Sequence, residues 1–264
     1  MTLTQKKQAL EECLRSLGSV AVAFSYGVDS TFLLKTAHEI LGSNAVAVTV
    51  RSNLLPSAEF DGSVEFCKKE GIEQIIIEAD ELSIEGFAAN PPDRCYICKK
   101  SIFTGILNAA ELRGISNVAE GSNADDVNDY RPGMKAIREL GVLSPLMQAG
   151  LTKAEIRALS ENYNLPTSRK PSFACLATRI AVGEEITKEK LAKIEKTEDF
   201  LHSLGFWQVR VRVQCDSARI ETEKKDILRL ASLADEVSAF IKPLGFDFVS
   251  LDLGGYKTGN MNKI

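Results

Sequence analysis

The sequence predicts an α/β fold: a parallel sheet covered by helices, followed by a smaller α+β C-terminal domain. Two observations carry that reading. Short apolar runs at 20–24 (V-A-V-A-F), 45–50 (A-V-A-V-T-V), 74–77 (Q-I-I-I) and 117–120 (N-V-A-E) alternate with amphipathic segments at 30–41, 57–70 and 100–113. Strands that alternate with helices imply βαβ crossovers and a parallel sheet buried on both faces. Past the aperiodic loop K170-P-S-F-A-C-L-A-T-R179 the pattern restarts as helix (187–204), strand (207–213), strand (217–222), helix (224–241) and strand (246–252). The boundary therefore falls at 165–180, and the expected division is 1–170 and 171–264.

In a parallel sheet the ligand sits beyond the carboxyl ends of the strands. Three segments reach that rim: S25-Y-G-V-D-S30, T49-V-R-S-N53 and G121-S-N-A-D-D126. The first joins a buried strand to a helix through small and polar residues. Such a turn suits an anion, because small residues let backbone N–H groups approach it and the new helix favours negative charge there. Ser25, Gly27, Val28, Asp29, Ser30, Thr49, Gly121 and Asn123 belong to this rim. An ordinary capped strand-to-helix turn is the plainer alternative.

Composition narrows the partners. At 264 residues the chain can build one large or two modest cores, and its formal net charge of −4 comes with well-mixed acids and bases. No basic tract marks a nucleic-acid binder, so a small anionic substrate is expected instead. No apolar run approaches membrane-spanning length and the N-terminus has no apolar leader, so the expected setting is the cytoplasm.

Six cysteines in such a chain argue for thiol or metal chemistry rather than bridges. Cys13 continues the stripe Leu10, Cys13, Leu14, Leu17, and Cys67 follows Val64 and Phe66; both read as packing residues. Cys95 and Cys98 form C-x-x-C, with Cys175 further on. Zinc would want four protein ligands, whereas three thiolates suit a [4Fe–4S] cluster with one open iron. Arg179, four residues past Cys175, is expected to favour its thiolate; a small buried residue is the alternative there.

In the second domain V209-R-V-R-V213 alternates, placing Arg210 and Arg212 on one strand face. A substrate phosphate would relieve their repulsion, and Glu221 or Glu223 would do so as plain ion pairs. Glu198 lies in the stripe Leu191, Ile194, Leu201, where an acid needs a partner or a function. Lys257, in the glycine-rich C-terminal stretch, offers a further anion contact or belongs to a frayed tail.

These segments carry a resemblance. S25-Y-G-V-D-S-T31 resembles the S-G-G-x-D-S-[ST] loop of the ATP pyrophosphatase (PP-loop) superfamily, with Tyr26 where the first glycine usually stands. G-S-N-A-D-D is similar to the superfamily segment whose acid, here Asp126, helps hold Mg²⁺. With N90-P-P-D-R-C-Y-I-C-K, L143-S-P-L, T152-K-A-E-I-R, C175-L-A-T-R, V-R-V-R and L-D-L-G-G-Y-K-T-G-N-M-N, the chain resembles the LarE-type sulfur transferases nearly end to end.

That resemblance implies ATP-dependent adenylation of the carboxylates of a pyridinium-3,5-biscarboxylic acid mononucleotide, with Ser25, Gly27, Val28, Asp29, Ser30, Thr49, Gly121 and Asn123 as the nucleotide contacts. Sulfur then displaces AMP, with Cys175, Glu198 and Arg179 in catalysis and Arg210, Arg212 and Lys257 on the substrate phosphate. Sulfur comes either from Cys175 itself or from a sulfide on a cluster held by Cys95, Cys98 and Cys175; the C-x-x-C pair favours the cluster. A homo-oligomer is expected. A tRNA thiolation enzyme of the same superfamily and a non-enzymatic nucleotide-binding module are the rival readings. Glycine in place of Tyr26 is expected to do no harm.

Overall fold

The structure, a computed structural model, describes residues 1–128, 132–171 and 174–257; the parts of the sequence motifs at 129–131, 172–173 and 258–264 lie outside them. The chain forms two compact units, Met1–Asp80 with Cys95–Phe173, and Glu81–Arg94 with Ala174–Ile264.

In the first unit, α1 (Leu3–Leu17) leads into β1 (Val20–Ala23), α2 (Val28–Leu41), β2 (Ala45–Ser52), α3 (Ser57–Glu70) and β3 (Gln74–Ala79). After α4 (Arg94–Leu112) and β4 (Val118–Ala119) come α5 (Pro132–Glu139), α6 (Pro145–Gln148) and α7 (Lys153–Asn162). The strands are parallel in the order β3-β2-β1-β4. Alternation along β1 divides the core. Val20 and Val22 pack with Leu10, Leu14, Phe32 and Leu33 on one face, while Ala21 packs with Val46, Phe103, Ile106 and Ile137 on the other. Cys67 lies in the first of these clusters, where burial pushes its thiol up to about 12, in keeping with a packing role.

Helix limits differ from the sequence reading in two places. α4 begins at Arg94 rather than 100, so Cys95 and Cys98 fall in its first turns. α7 carries a capping box in which Thr152 accepts from the Glu155 N–H and the Glu155 side chain accepts from the Thr152 N–H. That T-x-x-E signal stands in the sequence; periodicity alone misses the helix.

The second unit holds α8 (Lys188–Ser203), β5 (Val209–Gln214), β6 (Ser217–Thr222), α9 (Ile227–Ser232), α10 (Ala234–Ile241) and β7 (Phe248–Leu251). β5 pairs antiparallel with β6, and β6 pairs parallel with β7. The single helix expected over 224–241 breaks at Leu233, which leaves helical backbone (φ −102°, ψ 17°).

This unit also takes in residues 81–94, which a boundary at 170/171 does not include. Hydrogen bonds account for the difference. The Gly183 N–H donates to the Asn90 carbonyl (2.9 Å) and the Ile186 N–H to the Ala88 carbonyl (2.8 Å). The Asn90 side chain donates to the carbonyls of Ala181 (2.7 Å) and Ile180 (3.4 Å) and accepts from Arg94 (2.6 Å). Asn90 is fully buried at φ 54°, a conformation asparagine tolerates better than most residues. Asn90→Ala is expected to lower the unfolding free energy by about 2–4 kcal/mol, since it strands two carbonyls and one guanidinium and leaves alanine at positive φ. Chemical denaturation checks this, and a loss under about 0.5 kcal/mol, the ordinary range for an inert surface change, contradicts it.

Candidate nucleotide and sulfur-transfer sites

In the first unit, β1 delivers the chain to α2 through Ser25–Gly27. Gly27 is the N-cap, in extended backbone, and supplies no side chain to cap the first turn. The N–H groups of Val28, Asp29 and Ser30 therefore begin a helix with no side-chain acceptor, the arrangement an anion exploits. The Ser25 and Ser30 hydroxyls lie 3.2 Å apart, and Thr31 donates back to the Gly27 carbonyl (2.7 Å).

The loop after β4 presses on this turn. A Cβ at Gly121 would lie 2.9 Å from the Ser30 amide nitrogen and 3.2 Å from the Asp29 carbonyl carbon, so only glycine permits the approach. Asn123 makes an Asx turn: its Oδ1 accepts from the Asp125 N–H (3.0 Å), and its own N–H donates to Asp126 Oδ2 (3.0 Å). This turn also brings Asp126 close enough to Asp29 to raise that carboxyl's pKa. Thr49 is buried on β2, and its hydroxyl accepts from Gln74 (2.8 Å).

Asp29 is the charged centre of this group. One oxygen accepts from Lys153 Nζ at 2.5 Å; the other, Oδ1, is buried with no hydrogen-bond partner. Two neighbouring carboxylates, one with a buried oxygen to spare, fit Mg²⁺, which takes one or two carboxylates and completes its shell with phosphate and water. Lys153, at the start of α7, belongs to the motif T-K-A-E-I-R, and the sequence alone assigns it no role.

The second unit carries another buried charge network. Arg179 is fully buried and Glu198 nearly so. Glu198 Oε1 accepts from Arg179 Nε (3.0 Å) and the Val211 N–H (2.9 Å), and Oε2 accepts from Arg179 Nη2 (2.9 Å). Arg179 Nη1 donates to the carbonyls of Ala174 and Cys175. The expectation that Arg179 makes an electropositive mouth for the Cys175 thiolate is corrected here: its charge is met by Glu198, and it grips the backbone of the cysteine segment. Glu198 thus has the partner that its place in an apolar stripe demands.

Arg210 and Arg212 are also buried. Arg212 Nε donates to Glu221 (2.9 Å) and Nη1 to the Thr178 carbonyl (3.1 Å), so for Arg212 the ion-pair alternative is the one observed. Burial, with Arg179 and Arg212 nearby, pulls Arg210 down to about 10, and its guanidinium lies 5.4 Å from the Tyr256 ring centroid. Arg210 Nη1 donates to the Val209 carbonyl (2.7 Å), so Arg179, Arg210 and Arg212 share a buried region with Glu198 and Glu221. Lys257 is exposed.

Cys95 and Cys98 are half-buried on α4 in the first unit, and Cys175 is half-buried in the second. Among the described residues no three histidine, cysteine, aspartate or glutamate side chains are grouped to hold a metal ion.

Burial outweighs Lys153 at Asp29 and pushes its carboxyl above the ordinary value. The folded chain then keeps that proton to higher pH than the unfolded chain. Its contribution to stability is fully present below the unfolded pKa and falls as pH rises through the folded one. Wild type is therefore expected to lose stability relative to Asp29→Asn as pH rises from about 4 toward 7. Paired denaturation curves measure this, and a gain over that window contradicts it.

No family model matches the chain. An uncharacterized protein of Synechocystis is 37% identical over 265 residues, covering 99% of this chain and 98% of the relative. A glutamine-hydrolyzing GMP synthase chain of Thermoplasma volcanium is 26% identical over 197 residues, covering 70% of this chain and 63% of the relative. The pyridinium-3,5-bisthiocarboxylic acid mononucleotide synthase of Lactiplantibacillus plantarum is 37% identical over 262 residues, covering 99% of this chain and 95% of the relative. With that identity over nearly its whole length and a parallel α/β unit that opens an unscreened helix N-terminus at the sheet rim, the chain belongs to the family of the pyridinium-3,5-bisthiocarboxylic acid mononucleotide synthases, within the PP-loop superfamily.

Proposed function

We propose that this chain is an ATP-dependent sulfur transferase that converts the carboxylates of a pyridinium-3,5-biscarboxylic acid mononucleotide to thiocarboxylates. The observation that carries the nucleotide half is the buried, unpartnered Asp29 oxygen beside the open first turn of α2. The first-turn N–H groups and Lys153 receive the ATP phosphates; Asp29 and Asp126 would hold Mg²⁺, which would supply charge neutralisation at those phosphates. A substrate carboxylate oxygen attacks the α-phosphorus and pyrophosphate departs. The acyl adenylate so formed is an electrophile that a free carboxylate is not.

Sulfur enters through Cys175. Its thiolate attacks the acyl carbon and AMP leaves with the former carboxylate oxygen. Removal of the Cys175 Cα proton and cleavage of its Cβ–S bond then release the thiocarboxylate and leave dehydroalanine, so the chain becomes lighter by H₂S. Arg179 and Glu198 position this segment through the Ala174 and Cys175 carbonyls. A cluster-bound sulfide is the second reading, favoured by the C-x-x-C pair on α4. Six cysteines in a chain large enough to build its own cores suit a reducing, cytoplasmic setting. Among the described residues no helix is long and apolar enough to cross a membrane. Exposed Trp207, Leu228, Phe248 and Leu253 in the second unit favour a homo-oligomer. The acidic balance speaks against tRNA as substrate.

Two outcomes test this. Cys175→Ala is expected to keep substrate-dependent pyrophosphate release and to make no thiocarboxylate; thiocarboxylate from that variant removes Cys175 from the sulfur path. In the same assay Cys95→Ala with Cys98→Ala keeps one turnover, and loss of that turnover together with iron-dependent activity in wild type transfers the assignment to the cluster. The Arg210 guanidinium, buried with Arg179 and Arg212 nearby, suits the substrate phosphate. Arg210→Ala is expected to raise KM for the mononucleotide by the equivalent of about 1.5–3 kcal/mol, leaving ATP affinity unchanged. An equal loss for ATP moves this arginine to the nucleotide.

A further inference from the structure

Tyr26 stands in the anion loop at φ 55°, where a side chain other than glycine is strained. Such a conformer persists only where its surroundings over-determine it, and three contacts within the first unit do so. First, the ring lies against Gly62 of α3, where a Cβ would come within 2.2 Å of Tyr26 Cε1. The glycine missing from the loop thus has a counterpart on the helix that receives the ring. Second, Phe24 and Phe66 flank the ring at centroid distances of 6.1 Å each. Third, Lys170 Nζ lies 4.0 Å from the ring centroid and donates to the Tyr26 carbonyl (3.3 Å).

Lys170 is itself held. Its ammonium donates to Glu59 (2.6 Å), a buried acid in the first turn of α3. Its carbonyl accepts from Arg157 Nη2 (2.6 Å), and Arg157 lies one turn beyond Lys153 on α7, whose ammonium meets Asp29. A trans peptide is planar, with C=O and N–H on opposite sides. Pinning the Tyr26 carbonyl therefore also fixes the direction of the Gly27 N–H, the donor that opens the anion loop.

We propose that Lys170, held by Glu59, is a positioning residue for the nucleotide: it keeps Tyr26 left-handed and so presets the Gly27 N–H and the first turn of α2 for the phosphates. The proposal rests on the nucleotide reading of this loop. It also changes the expectation for glycine at position 26, which relieves strain but removes the ring contacts on which Lys170 acts.

Equilibrium binding of α,β-methylene ATP with Mg²⁺ to the full chain tests it. Lys170→Met is expected to weaken binding about tenfold and Lys170→Arg less than about threefold, with mononucleotide binding unchanged in both. In a Tyr26→Gly background, Lys170→Met should cost less than about threefold, because glycine takes positive φ without support. Should Lys170→Met fail to fold, Glu59→Gln carries the same comparison. Wild-type affinity in Lys170→Met, or an equal tenfold loss in both backgrounds, overturns the proposal. Absence of binding by the wild-type chain overturns the nucleotide reading itself, and with it this one.

Discussion

Asp29 sits in the first turn of α2 with one carboxylate oxygen on Lys153 and the other buried without a partner. Withdrawing a carboxylate from water is unfavourable unless the charge is met, and much of the first unit meets part of it. The helix N-terminus favours negative charge at that spot, and α7 is capped by Thr152 so that Lys153 reaches across. Gly121 lets the β4 loop approach within contact of the same turn, and that loop carries Asp126, a second acid that raises the cost. The two neighbouring acids disfavour each other's charge. On the proposed function a divalent cation would offset that repulsion while the helix end receives the polyphosphate.

The second unit handles buried charge by a different balance. Glu198 is saturated by Arg179 and the Val211 N–H, so this pair behaves as a rigid strut between α8, β5 and the segment that carries Cys175. Breaking one side of such a strut is costly because it leaves the other charge buried and alone. Arg212 is tied to Glu221 in the same way. Arg210 is the member whose surroundings disfavour its charge, through burial and two neighbouring guanidiniums. On the proposed function, a substrate phosphate beside Arg210 would offset that cost.

Much of this was legible in the sequence because it depends on period and on residue size. The apolar run V-A-V-A and the alternation of V-R-V-R located β1 and β5, and the small residues of S-Y-G-V-D-S and G-S-N marked where backbones approach closely. The apolar stripe around Glu198 announced a buried acid that needed a partner. What escaped was set by contacts between distant residues. Lys153 and Lys170 look like ordinary surface lysines, and only folding brings them to Asp29 and Tyr26. Residues 81–94 join the second unit through Asn90, a residue whose role depends on positive φ and on carbonyls about ninety positions away. Arg179 misled for a related reason: four residues from a cysteine suggested a thiolate partner, whereas its guanidinium turns to Glu198 and to backbone.

The central claim is that a substrate carboxylate is activated by AMP before sulfur arrives, and oxygen tracing tests it most directly. With the mononucleotide labelled by ¹⁸O in its carboxylates, attack of carboxylate oxygen on the α-phosphorus followed by displacement at the acyl carbon carries one labelled oxygen into AMP for each thiocarboxylate formed. Mass spectrometry of the AMP and pyrophosphate reads the result. The account predicts singly labelled AMP and unlabelled pyrophosphate; unlabelled AMP alongside thiocarboxylate product would contradict it.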